Sequence, residues 1–312
     1  MTGSTRPSTG MPDPLPGERG HLPFEHIACC IDDSEASAGA LAEAERLRAL
    51  SPGKLTVIHV APKPLLFDSA GVVSPKDTWS RAHDWHAARV ASVPGALGEL
   101  LVGDPPSMVC EWVRTADIDL VVAAPHHERR ERWVLGSFSS YLVRHAPTSV
   151  LLVRGVGDAP ASTPYRHIAC CVDRSDASME ALQLARLLRS SGPGRLTALT
   201  AAYLPPPSDL ELASVVDPTV IAAASAAWLR RETSEMPDVE PEVVTGYPPA
   251  ARCEEWASEN MCDLLVAAAH RGLVDRVLLG SFADHLAHHA PCSVLLKRPI
   301  TPRKGPKAEA DR

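Results

Sequence analysis

Short continuous apolar runs alternate along the chain with longer segments whose apolar positions recur every three or four residues. The alternation predicts strands and helices in turn. Glu25–Ile31 is such a run and reads as a strand. Ala36–Leu50 carries Leu41, Ala44 and Leu47 on one helical face, and Pro52-Gly53 stops it. Leu55–Val60 is the next strand, followed by a loop with several prolines. Asp77–Ser92 reads as a helix, Ala96–Val102 as a strand and Asp104–Thr115 as a helix. Asp119–Ala124 is a fourth strand, Ser137–His145 a short helix and Ser149–Val153 a closing strand. The same order follows again, with strands expected near 166–172, 195–202, 239–245, 263–269 and 293–297. Strands joined by helices predict a parallel sheet covered on both faces, and right-handed crossovers make each unit a doubly wound, five-stranded α/β domain.

The residues repeat along with the pattern. HIACCIDDSEAS at 26–37 returns as HIACCVDRSDAS at 167–178, an offset of 141. DLVVAA at Asp119–Ala124 matches DLLVAA at Asp263–Ala268, and Gly136-Ser137-Phe138 matches Gly280-Ser281-Phe282, at an offset of 144. A period of this length is one small domain rather than a solenoid unit, so the chain is a tandem duplication. The expected layout is a disordered tail over 1–23, a domain over 24–153, a linker over 154–164, a second domain over 165–297 and a basic tail over 298–312. The first tail is rich in Pro, Gly, Ser and Thr and lacks the apolar stretch of a secretory signal.

A formal charge of −7 argues against a nucleic-acid surface, and no apolar run is long enough to cross a membrane. With no signal peptide, the expected location is the cytoplasm. Most of the eight cysteines fall inside apolar segments. Adjacent strand residues point to opposite faces, so Cys29-Cys30 and Cys170-Cys171 are expected as packed thiols rather than chelating or disulfide pairs. His83 and His86 share a helix with Asp84, but the second copy has nothing comparable and no metal is expected. No Gly-x-Ser-x-Gly nucleophile elbow occurs.

Ligands of doubly wound sheets sit beyond the carboxyl ends of the strands, where strand order reverses. The repeated residues fall at those ends. Asp32 and Asp173 each close a first strand, followed by Ser34 and Ser175, and Gly136-Ser137 and Gly280-Ser281 each open the short helix after a fourth strand. A glycine permits close backbone approach, and the serine hydroxyl with the free amides of a helix start can hold a phosphate. Serine is also a favoured helix cap, and aspartate at a strand end often only turns the chain. Occurrence of the whole set twice favours a site.

Ile31-Asp32-Asp33-Ser34-Glu35 resembles the V-D-G-S-E opening of the universal stress protein family. WVLGSFSSYLVRHAPTSVLLV (133–153) and RVLLGSFADHLAHHAPCSVLLK (276–297) are similar to the family's last helix and strand. The resemblance covers both halves. It implies five-stranded parallel sheets of the adenine nucleotide alpha hydrolase-like class, two domains paired about their last strands, and, in one branch, ATP bound without vigorous turnover. That branch carries a phosphate loop G-x2-G-x9-G-S/T. Here Ala123 and His126 stand at its first two glycine positions in one copy, and Ala267 and His270 in the other. Where glycine supplies a positive φ, an added Cβ strains the backbone by about 1 kcal/mol or more. The expected ATP site is therefore weakened.

An anion is expected to prefer the first copy. Its loop carries His126, His127, Arg129, Arg130 and Arg132, whereas Asp284 in the second copy stands three residues after Ser281 as in a capping box. The leading expectation is a stress-response protein that binds and regulates, its two domains paired within one chain and a protein partner engaged. Slow ATP hydrolysis, or an enzyme of the wider nucleotide-binding α/β class using Asp32 and His126, stays open as an alternative. So does assembly into homo-oligomers. The apolar closing strands Ser149–Val153 and Ser293–Leu296 would be bare edges in isolated domains, and pairing them would hide both.

Overall fold

The computed structural model describes residues 22–51, 53–63, 67–68, 71–72, 75–125, 135–154, 165–203, 217–269 and 280–299. The first half comprises β1 (His26–Cys30), α1 (Glu35–Ala49), β2 (Lys54–Ala61), β3 (Phe67–Asp68), β4 (Gly71–Val72), α2 (Pro75–Ala91) and β5 (Leu97–Val102). It continues with α3 (Pro105–Thr115), β6 (Leu120–Ala123), α4 (Ser137–His145) and β7 (Ser149–Leu152). The second half begins with β8 (His167–Cys171), α5 (Asp176–Arg189), β9 (Arg195–Tyr203), α6 (Pro218–Glu232) and β10 (Val239–Gly246). It ends with α7 (Pro249–Glu259), β11 (Leu264–Ala268), α8 (Ser281–His289) and β12 (Ser293–Lys297). The proline-bearing loop holds one element that the pattern does not predict, the antiparallel pair β3–β4. Two-residue strands are too short to show a period.

Ten strands form one sheet in the order β10-β9-β8-β11-β12-β7-β6-β1-β2-β5. Within each half of this sheet every pairing is parallel, and the strand order reverses at β1/β6 and at β8/β11. The halves meet at β7 and β12, which pair antiparallel with Val150 opposite Leu296 and Leu152 opposite Val294. Each closing strand thus covers the other's edge.

The sheet separates two apolar layers. Leu41, Ala44 and Leu47 of α1, Leu182 and Leu188 of α5 and Trp228 of α6 pack on one face. Val109 and Val113 of α3, Leu142 of α4, Ala257 of α7 and Leu286 of α8 pack on the other. Cys29 and Cys170 belong to the first layer and Cys30 and Cys171 to the second, as strand alternation requires. All eight cysteines are free and buried. Burial pushes the thiols of Cys29, Cys30 and Cys170 well up and that of Cys110 to about 11. Little thiolate forms at neutral pH, so these side chains act as small apolar residues.

Two buried histidines make the fold sensitive to acid. His86 Nε2 donates to the Val57 carbonyl at 2.9 Å, and His167 lies against Thr197 Oγ1 and the Asn260 carbonyl, each at 3.0 Å. Burial lowers the pKa of both from 6.5. His59 and His83 add to the shift at His86, with Glu99 opposing. The unfolded chain therefore takes up protons below about pH 6.5 that the folded chain refuses, and stability falls as pH drops through that range. Denaturant melts at pH 7.5 and 5.5 should show this decline. It should shrink in His86→Gln/His167→Gln, whose amides keep a donor. An unchanged decline in the double variant assigns it elsewhere.

Candidate functional site

The two strand-end turns are built alike. Asp32 Oδ1 accepts from Ser34 N at 3.0 Å and from Ser34 Oγ, Ser34 Oγ accepts from Ser37 N at 3.2 Å, and Ser37 Oγ accepts from Asp32 N at 2.9 Å. In the second half Asp173 Oδ1 accepts from Ser175 N at 2.8 Å and from its hydroxyl, and Ser175 Oγ accepts from Ser178 N at 3.2 Å. Ser34 and Ser175 are therefore the N-caps of α1 and α5. Their hydroxyls satisfy helix amides, which is a structural role.

Ala123 and Ala267 are ordinary strand residues, paired in register with Leu152 and Leu296, and neither has a positive φ. The strain expected from replacing a glycine is absent at these positions, because an extended backbone accepts any side chain. What Ala267 changes is the wall of a cavity. His126 and His270, with loop residues 126–134 and 270–279, lie outside the described residues.

Both short helices start without a side-chain cap. Gly136 (φ −62°, ψ 164°) is the N-cap of α4 and Gly280 (φ −62°, ψ 147°) that of α8, which makes Ser137 and Ser281 the first helical residues. Neither glycine needs its conformational freedom, and a Cβ on Gly280 would meet nothing within 4 Å. Open amides behind a bare Cα are what an approaching anion requires.

In the second half these pieces converge. Asp173 at the end of β8, Leu199 and Ala201 of β9, Ala267 of β11, and Gly280 and Phe282 of α8 line a cavity of about 200 Å³. Its apolar walls carry no sequence signal, since alanine, leucine and phenylalanine facing a cleft look like core residues. In the first half, Ser139 of α4 bonds the Ala124 carbonyl at 3.4 Å, holding that helix start against the end of β6.

The capping box expected at Ser281 does not form. With Gly280 as N-cap, Asp284 stands one residue too far along the helix to reach back. Its carboxylate accepts instead from Arg144 of α4, at 3.1 Å from Nε and 3.4 Å from the second nitrogen, across the contact between the halves. The second helix start is therefore not blocked by Asp284. Arg174 follows Asp173 and stacks over Trp228 at 5.2 Å, where the first half has Asp33. Trp228 belongs to the apolar layer opposite the one that holds the cavity-lining Cys171, Leu199 and Ala267, so Arg174 turns away from the cleft.

His83 is exposed beside Asp84, whereas His86 turns inward to the sheet, so the two do not converge. Among the described residues no group of three or more His, Cys, Asp or Glu side chains is placed to hold a metal ion. None of the described helices is long and apolar enough to cross a membrane.

Sequence reasoning misses Arg154 and Arg298, which it places in a linker and a tail. Both are only 2% exposed, and each reaches into the opposite half. Arg154 donates to the Cys292 carbonyl at 3.1 Å and to the Ala287 carbonyl, and Arg298 donates to the Val143 carbonyl. Their backbone amides bond Ser293 Oγ at 3.0 Å and Ser149 Oγ at 3.1 Å. The available signal is their matched place, 144 residues apart and just past the two closing strands.

Comparison with known proteins agrees with this architecture. The family model described as universal stress protein family matches twice, over residues 23–154 and 164–298. A universal stress protein from Archaeoglobus fulgidus DSM 4304 superposes with a TM-score of 0.64 at 15% identity, covering 88% of this chain and 98% of that one. A protein from Pseudomonas aeruginosa PAO1 described as functionally unknown gives 0.61 at 14% identity, with coverage of 89% and 93%. A universal stress protein solved in complex with cAMP matches 43% of this chain and 98% of its own, at 24% identity and a TM-score of 0.31. No curated protein matches the chain. Two matched domains, two parallel half-sheets joined at their last strands and the repeated strand-end turns make this chain a tandem member of the universal stress protein family.

Proposed function

We propose that the protein is a cytoplasmic stress-response regulator that binds a phosphorylated small molecule of the adenine-nucleotide class, without vigorous turnover, and relays occupancy to a protein partner. Eight free thiols suit a reducing compartment. The observation that carries the binding proposal is the uncapped start of α8 at Gly280, opening on a cavity that also holds Asp173. The second half is the preferred site. Its helix start is not closed by Asp284, and a cavity joins that start to Asp173. The missing loop glycines remain a reason for weak affinity.

Gly280→Asp tests this reading. The backbone accepts any residue there and the space is open, so the new carboxylate can cap α8 and raise stability by about 0.3 kcal/mol. The same carboxylate occupies the anion's place. Calorimetric titration with ATP and with tripolyphosphate should show at least a roughly tenfold loss of both affinities, while Gly136→Asp has little effect. A larger loss from Gly136→Asp moves the site to the first half. Unchanged binding in both variants removes the helix starts from ligand recognition.

A further inference from the structure

Gly103-Asp104-Pro105-Pro106 and Gly246-Tyr247-Pro248-Pro249 occupy the same turn in the two halves, each led by a glycine of positive φ, 146° and 133°. In the first half Asp104 caps α3, its carboxylate accepting from Ser107 N at 3.4 Å and Ser107 Oγ at 2.7 Å. In the second half Tyr247 stands in place of Asp104, but α7 begins one residue later, at Pro249, with Pro248 as its N-cap and no side-chain cap. A stabilising local feature has been given up there for an aromatic side chain that is 48% exposed. Breaking a local rule without a packing gain is a mark of function.

A second substitution points to the same spot. Pro62, which follows β2, corresponds to Tyr203 at the end of β9, and Tyr203 is 49% exposed. The two rings meet edge to face, with centroids 6.1 Å apart and planes at 83°. Tyr203 lies two residues beyond Ala201 on the same face of β9, and Tyr247 two residues before Pro249. Ala201 and Pro249 both line the cavity that holds Asp173 and Gly280. The pair therefore stands over the mouth of the second cleft, with apolar faces exposed beside polar hydroxyls.

We propose that Tyr203 and Tyr247 form a stacking platform for the planar ring of the ligand, so that the second cleft selects phosphorylated compounds carrying an aromatic base over bare phosphates or sugar phosphates. This rests on the cleft reading above. Each tyrosine has a stiff ring to offer and little conformational freedom to lose, and a π-face accepts any base. With Pro62 and Asp104 at the matching places, the first half has no such platform.

Titration of the full-length protein and its variants with ATP, ribose 5-phosphate and tripolyphosphate tests the platform. Tyr203→Ala and Tyr247→Ala should each weaken ATP about 10-fold. Tyr→Phe variants should stay within about twofold, since the stacking face is kept. Tripolyphosphate affinity should not change in any of them. Unchanged ATP affinity in both alanine variants overturns the platform, as does a parallel loss for tripolyphosphate, which would mean that the tyrosines only shape the cleft. If wild-type protein binds tripolyphosphate as tightly as ATP, the platform falls and the cleft stands. If it binds neither, both fall.

Discussion

Arg154→Ala is expected to destabilise the protein by about 3 kcal/mol, with Arg298→Ala close behind. A buried guanidinium is costly, and burial lowers the Arg154 pKa to about 10, which still leaves it charged at neutral pH. That cost is offset because the cation lies just beyond the C-terminus of α8, where helix carbonyls lack intrahelical donors and the helix dipole favours positive charge. Truncation leaves the Cys292 and Ala287 carbonyls without these donors and opens a cavity at the seam between the halves. Arg154→Met separates the two contributions. If the lost hydrogen bonds dominate, Met recovers little of the stability, whereas near-complete recovery assigns the residue to space-filling. Both arginines hold opposite halves together, so Arg154→Ala/Arg298→Ala should unfold in two steps rather than one, read by urea titration with two probes. A single transition of wild-type midpoint would remove the arginines from the seam's energetics.

The fold is legible in the sequence because its signals are local. Buried parallel strands read as continuous apolar runs, and α1 shows its inward face through Leu41, Ala44 and Leu47. Even the pairing of β7 with β12 follows from two apolar edges that have to be covered. The candidate site is less legible, and Asp284 shows why. Taking Ser281 as the N-cap sets the helix frame one residue late, and that single step turns a carboxylate facing Arg144 into an apparent capping box. Its true partner lies 140 residues away, in the other half, where no local pattern reaches. Arg154 and Arg298 are hidden for the same reason. A charged residue just past a strand looks like the beginning of a linker until a second domain closes over it.

Repetition itself is an ambiguous guide, because a fold needs some residues as firmly as a ligand does. Ser34 and Ser175 recur as helix caps, and the aspartates that open the DLVVAA and DLLVAA repeats recur as clasps. Asp263 Oδ2 accepts from Arg166 N at 2.6 Å and His167 N at 2.9 Å. Asp119 Oδ2 does the same for Glu25 N and His26 N, both at 2.8 Å. Each carboxylate thus gathers two amides at the start of a central strand, while its own amide bonds back to that strand, at the His167 or His26 carbonyl.

Asp263→Ala should therefore cost about 3 kcal/mol, since it strips an acceptor from two amides where the protein partly excludes water. Asp119 is more exposed, so water can replace its carboxylate in part, and Asp119→Ala should cost about 2 kcal/mol. Asparagine distinguishes geometry from charge. One oxygen serves both amides, and an amide oxygen can take its place, so Asp263→Asn should lose only about 1 kcal/mol, mainly through the 3.4 Å contact with the exposed Arg166. Urea denaturation of the three variants settles the order. If asparagine proves as damaging as alanine at position 263, negative charge rather than the shared acceptor holds the strand start. If both alanine variants unfold like wild type, the aspartates were kept for something other than the fold.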